Sequence, residues 1–172
     1  MALGGVSDAL EVYTVTLLRY GAEWLMLHRA STKTFAPLRW TGVGGHVEPD
    51  ELGSLRSSAL RELAEETGVV EADVTGFALR RILLVATPGT AFKIVLYYTG
   101  IAAERVTPEC PEGVLHWVTA DQIDALDVIP DTKQVIPLLI ADGQRPSEHD
   151  EPVRIGLSRF RADGSVLPLV WL

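Results

Sequence analysis

Three glutamates, Glu62, Glu65 and Glu66, lie close together in the stretch Arg61-Glu-Leu-Ala-Glu-Glu-Thr67. Glu62 stands four positions from Glu66 and three from Glu65, spacings that bring side chains together on a helix surface. Like charges so placed repel by roughly 0.2–0.5 kcal/mol a pair, and each acid near a helix C-terminus opposes the macrodipole by about 0.3–1 kcal/mol. A breach of local rules of this kind is expected where a site is built. A divalent cation would turn the repulsion into coordination, and hard carboxylate oxygens suit Mg²⁺ or Mn²⁺. A solvated acidic helix end is the alternative. Upstream, Arg39-Trp-Thr-Gly-Val-Gly-Gly-His-Val-Glu-Pro-Asp-Glu51 carries Gly42, Gly44 and Gly45. Their missing Cβ atoms let a backbone carbonyl approach the same ion. A glycine loop at this distance from the acidic helix favours the metal reading over the solvated one.

The elements that must position these residues follow from periodicity. Ser54 to Thr67 reads as a helix, with Ser54 available to cap its start, Gly68 to end it, and Leu55, Ala59 and Leu63 on its core stripe. Glu11 to Tyr20 is a β-branched run apolar on both faces, as in a buried strand, and Trp24 to His28 follows the turn at Gly21 as its hairpin partner. Val74 to Thr87 and Ala91 to Ala102, joined by Pro88-Gly89, repeat that pattern, and Val114 to Val118 is a further short strand. Ala120 to Leu126 and Thr132 to Ala141 read as helices despite Pro137, and Arg154 to Phe160 with Val166 to Trp171 as a closing hairpin around Asp163-Gly164. Between them Asp142 to Pro152 is polar and proline-flanked, the pattern of a surface loop. The sum is a mixed α/β (α+β) domain.

The chain's 172 residues support a single domain spanning residues 1–172 that buries about 70% of its unfolded surface, with residues 144–172 as a C-terminal hairpin extension. Hydrophobic residues at 47% and charged residues at 22% exclude long disorder. Fifteen Lys and Arg against 23 Asp and Glu give a formal net charge of -8. No overall positive field attracts nucleic acid or anionic lipid, so no long nucleic acid is expected as a partner. The one cysteine, Cys110, forms no internal disulfide, which fits a reducing compartment, and no Cys/His cluster has zinc-ligand spacing. Met1 to Leu10 lacks a basic and apolar leader, and no apolar run approaches the roughly 20 residues of a membrane helix, so a cytoplasmic location is expected. The four Trp and the apolar end Val166 to Leu172 fit either core or a dimer contact, which leaves the oligomeric state open.

Gly45, Glu51 and Arg61-Glu-Leu-Ala-Glu-Glu-Thr-Gly-Val69 resemble the signature box of Nudix hydrolases, enzymes that cleave nucleoside diphosphates linked to another group. The second half matches at every defined position. In the first half Gly53 stands where the family places a glutamate before the helix cap, and Glu51 lies two residues earlier on a longer loop. The resemblance implies a Nudix-like α/β/α sandwich around a central mixed β-sheet, with the box holding Mg²⁺, or Mn²⁺ in its place, against a diphosphate. It implies Glu62 and Glu66 as metal ligands, Glu65 as ligand or nearby base, the Gly44 carbonyl as a further ligand, and Arg61 as a brace for the acids. A carboxylate would then orient or deprotonate a water that attacks phosphorus in line.

The likeness extends to the MutT-like branch, which hydrolyses oxidised purine nucleoside triphosphates such as 8-oxo-dGTP. Arg39-Trp40-Thr41-Gly42 is similar to its loop before the box, with Thr41 in place of Asn, and Gly45 belongs to the same substrate-side loop. Glu112 falls where the branch has one more metal-binding or basic carboxylate, or is a solvated loop acid. Ile129-Pro130-Asp131 is similar to the segment that meets the base, where Asp131 could bond the purine edge or serve as a helix N-cap. Thr14 sits where the branch has a polar strand residue near the base. Arg29 sits where the branch has a basic residue near the phosphates, or is a surface residue. A small-molecule nucleotide is the implied substrate. A nucleotide sugar, a dinucleoside polyphosphate and a non-catalytic nucleotide-binding module remain alternatives. A prenyl diphosphate isomerase of the same fold should carry a reactive Cys near the glycine loop, and Cys110 is far from it in sequence.

Overall fold

The computed structural model describes residues 10–87, 92–144 and 152–172. Its strands are β1 (Leu10–Tyr20), β2 (Glu23–Arg29), β3 (Trp40–Thr41), β4 (Val74–Ala86), β5 (Phe92–Ala102), β6 (Gly113–Thr119), β7 (Arg154–Arg159) and β8 (Val170–Trp171). Its α-helices are α1 (Leu55–Thr67), α2 (Ala120–Asp124) and α3 (Pro130–Gln144). One mixed sheet runs β3-β2-β1-β5-β4-β7-β8, with β6 also paired to β2. β1 and β5 are parallel, as are β4 and β7, whereas β4 with β5 and β2 with β6 are antiparallel.

Alternation along β1 sends its side chains to two cores. Leu17 packs with Val135, Ile136 and Leu139 of α3 on one face, and Leu18 with Leu63 of α1 on the other. Val12, Ala59 of α1, Leu96 and Tyr98 extend the α1 side. The sheet therefore lies between helices, the expected α/β/α sandwich. Among the described residues no helix is long and apolar enough to cross a membrane.

Several sequence expectations change in detail. Trp40 and Thr41, read within a loop, form a two-residue strand against Leu27 and His28. Ser54 occupies the N-cap of α1 but its side chain makes no capping hydrogen bond. α3 begins at Pro130 and runs to Gln144, so Asp131 stands in its first turn and is not the N-cap. Asp142, assigned to a surface loop, is 4% exposed and meets Arg81 of β4 at 2.8 Å. Helix propagation plus a buried cation across 61 residues overrides the local loop signal. Residues 145–151 of that loop, and the Pro88-Gly89 turn, lie outside the described residues. The closing hairpin forms, with Gly164 at φ +80° in its turn, but β8 covers only Val170–Trp171.

Candidate active site

The glycine loop is held as a partial strand along the first half of β1. Thr14 N–H donates to the Gly45 carbonyl at 2.9 Å, Val47 N–H to Val12 at 2.8 Å, and Val43 and Thr16 exchange bonds of 3.0 and 2.6 Å. β2 touches β1 only near the turn, at Arg19–Trp24 and Tyr20–Glu23, so this edge is free for the loop. At Gly44, φ is +150° and an added Cβ would fall 2.1 Å from the Thr14 carbonyl oxygen. At Gly45 it would fall 2.5 Å from a Glu62 carboxylate oxygen. Glycine at these two positions lets loop, strand and helix acid meet.

α1 delivers the acids from its last two turns and ends at Gly68, φ +74°, whose N–H bonds the Ala64 carbonyl at 2.8 Å. Glu66 is 5% exposed, and its Oε2 accepts the Gly44 N–H at 3.0 Å. Burial pushes its carboxyl up to about 8, opposed by the Gly44 hydrogen bond and reinforced by the charges of Glu112 and Glu62. Burial raises Glu62 as well, against the pull of Arg61.

Arg61 is the hub of the box. Its Nε and Nη2 grip Glu51 at 2.7 and 2.8 Å, and its Nη1 reaches Glu62 at 2.9 Å and Glu65 at 3.1 Å. Glu51 also accepts from the Ser58 hydroxyl at 2.9 Å and from its own turn's Glu48 N–H at 3.0 Å. The Arg61 bond, then the Glu48 N–H, hold its carboxyl down at about 2. The displaced glutamate thus supports the box: residues 49–51 wind into a 3-10 turn that brings Glu51 to Arg61 despite the longer loop.

Gly44, Gly45, Glu62, Glu65, Glu66 and Glu112 line one cavity of about 340 Å³, with His46 and Pro111 completing its wall. Glu112 is paired to Lys33. Among the described residues no three His, Cys, Asp or Glu side chains stand ready-made around a metal position. Arg61 holds Glu62 and Glu65, the Gly44 N–H holds Glu66, and Lys33 holds Glu112. The donor set nonetheless fits a hard divalent cation: four carboxylates face one cavity, and two of them are raised by burial that an added positive charge would offset.

The remaining expected substrate residues are not on this wall. Thr14 is 1% exposed, on the β1 face shared by Val12 and Leu18 that packs under α1, and its hydroxyl has no hydrogen-bond partner among the described residues. Thr41 is buried on β3. Neither side chain lines the cavity as it stands. Arg29 lies nearer: its charge acts on Glu66, its Nε donates to the Phe35 carbonyl at 3.1 Å, and its guanidinium sits 5.9 Å from the Phe35 ring. Asp131, raised by burial, accepts the Thr132 N–H at 2.9 Å, and Ile129 beside it donates to the Trp40 carbonyl at 3.0 Å, which seats that segment against β3.

Sequence reasoning passed over Phe35, Tyr13 and Lys93. Phe35 is 59% exposed, and the Lys93 ammonium lies 5.2 Å from its ring and 5.6 Å from that of Tyr13. An aromatic residue in the otherwise polar run Ser31-Thr-Lys-Thr-Phe35 was the available signal.

Fold and site together define an α/β protein with a carboxylate-lined cavity on a loop-helix beside its sheet. The NUDIX domain family model matches residues 10–139, and the chain belongs to that family. Its likeness to solved structures includes the MutT protein from Bacillus halodurans, with TM-score 0.66 and 20% identity over 94% of this chain and 97% of that one. It also includes a C. elegans Ap4A hydrolase, with TM-score 0.61 and 18% identity over 77% and 96%. At those identities the likeness shows the fold. A bovine (Bos taurus) m7GpppN-mRNA hydrolase NUDT17 is 49% identical over 45 residues, which span 26% of this chain and 14% of that relative.

Proposed function

We propose that the protein is a divalent-metal-dependent Nudix hydrolase that cleaves a nucleoside triphosphate to the monophosphate and pyrophosphate, with oxidised purine nucleotides such as 8-oxo-dGTP as the first candidates. The convergence of Glu62, Glu65, Glu66 and Glu112 on one glycine-walled cavity carries this reading. Nudix hydrolases generally use divalent metal ions. Glu62, Glu66, Glu112 and the Gly44 carbonyl, to which no described residue donates, would hold Mg²⁺ or Mn²⁺. Such an ion neutralises phosphate oxygens and sharpens the electrophilic phosphorus.

The chain's own groups supply the rest. Arg61 fixes Glu62 and Glu65 in the last turns of α1. Glu65, with a 59% exposed side chain, is the acid that reaches a water on the open side and accepts its proton as the water oxygen bonds phosphorus. The opposite P–O bond breaks, and its electron pair leaves with pyrophosphate. Arg29, whose charge acts on Glu66, would meet phosphate oxygens. Phe35 and Tyr13, with Lys93 between their rings, offer an aromatic face for a base. Asp131 supplies a carboxyl at the segment that would meet the base's edge.

The test is a panel of dGTP, 8-oxo-dGTP, ADP-ribose, a dinucleoside tetraphosphate and capped RNA, with kcat/KM compared in Mg²⁺ and in excess chelator. Preference for 8-oxo-dGTP, lost on chelation, is expected. Preference for ADP-ribose or the dinucleoside tetraphosphate would move the substrate to those classes. Nucleotide binding with no turnover of any compound would make this a binding module.

A further inference from the structure

Lys33 has no part in the chemistry described so far. Its Nζ lies 2.5 Å from Glu112 Oε1, a contact between side chains 28% and 34% exposed that spans 79 residues of chain. The backbone on both sides is fixed. Ala30 N–H donates to the Glu112 carbonyl at 2.9 Å, Lys33 N–H closes a turn on the Ala30 carbonyl at 3.2 Å, and Arg29 N–H bonds the Arg39 carbonyl at 3.0 Å across the base of the loop. Gly113 is pressed so close to β2 that an added Cβ would fall 2.1 Å from the His28 carbonyl oxygen. Only the two side chains are left to move.

Three of the cavity's four acids are paired to cations, and the fourth, Glu66, is held by the Gly44 N–H. Arg61 neutralises the Glu62 and Glu65 side through three glutamates at once, whereas Lys33 holds Glu112 alone. Lysine is a compact point charge on a flexible stem, suited to changing partners, where a two-pronged guanidinium would commit its position. A divalent cation that takes up Glu112 competes with this ammonium for the carboxylate, and a displaced ammonium needs another anion.

We propose that Lys33 is a two-position residue: it holds Glu112 in the metal-free protein and passes to the substrate's phosphate chain when that carboxylate turns to a divalent cation. This rests on the hydrolase reading above. Metal binding is thereby opposed by the chain's own lysine until phosphate arrives, so cation and polyphosphate bind cooperatively.

The experiment is calorimetric titration of chelator-stripped protein with MnCl₂ alone, then of the manganese-loaded protein with α,β-methylene-dGTP, in wild type, Lys33→Met and Lys33→Arg. Removing the competitor should make Lys33→Met bind Mn²⁺ alone about fivefold more tightly, a partly exposed ion pair being worth up to ~1 kcal/mol, and bind the analogue about tenfold more weakly. Lys33→Arg should restore analogue affinity. A merely structural lysine would weaken both titrations, and that result overturns the proposal, as does a Lys33→Met variant matching wild type in either. Wild type that takes up neither manganese nor the analogue would instead sink the hydrolase reading, and this proposal with it.

Discussion

Replacing Glu66 by glutamine should stabilise the metal-free protein while abolishing its turnover. The Glu66 carboxyl is pushed by burial from 4.5 up to about 8. The fold therefore binds its proton more tightly than the unfolded chain does. The associated stability is fully present below 4.5 and is lost as pH rises toward 8. At 1.36 kcal/mol per unit, the carboxyl costs the fold about 3 kcal/mol at pH 7 and about 5 kcal/mol above pH 8. Glutamine keeps an oxygen for the Gly44 N–H and carries no charge, so it escapes that cost. For a chain of this length about 3 kcal/mol corresponds to roughly 6–12 °C in Tm. The assay is calorimetric melting in chelator from pH 5 to 9, beside turnover in Mg²⁺. The variant should melt higher than wild type, by a margin that shrinks to nothing near pH 4.5 and grows up to pH 8, with kcat reduced at least a hundredfold. Coincident melts across that range, or a margin that grows on acidification, would refute the reasoning.

Glu51→Gln should lower kcat about tenfold by loosening Arg61. Because the Glu51 carboxyl is held at about 2, its stabilising effect is present above 4.5 and lost as pH falls through 2, so the variant's acid melting curve should flatten over that window. Gly45→Ala forces a methyl onto the Glu62 carboxylate and should cut kcat/KM at least tenfold with unchanged circular dichroism; near-normal kinetics would contradict the close approach. Phe35→Ala should raise KM for nucleoside triphosphates about tenfold with kcat little changed, and an unaltered KM would remove the ring from the base site.

Much of the fold could be read from period alone, because the two long hairpins and α1 carry strong local signals. The gathering of the candidate site was legible where it is local too: Arg61 to Glu66 sit on one helix, and the glycines precede it. What escaped depends on pairing across distance. Glu51 counts as misplaced along the chain, yet a 3-10 turn brings it to Arg61. Asp142 reads as a polar loop residue until α3 carries it to Arg81. Thr14 shares a face with Val12 and Leu18 by simple alternation, but which face receives α1 is decided by tertiary packing. Lys33 and Glu112 come from loops that only β2 and β6 bring together.

The central claim is that these carboxylates share a divalent cation. Crystals grown with MnCl₂ and measured for anomalous scattering test it most directly. A manganese peak within coordination distance of Glu62, Glu66 and Glu112 is expected, with the Lys33 ammonium turned away from Glu112. Ordered acids around a cavity without anomalous density, at saturating manganese, would contradict it.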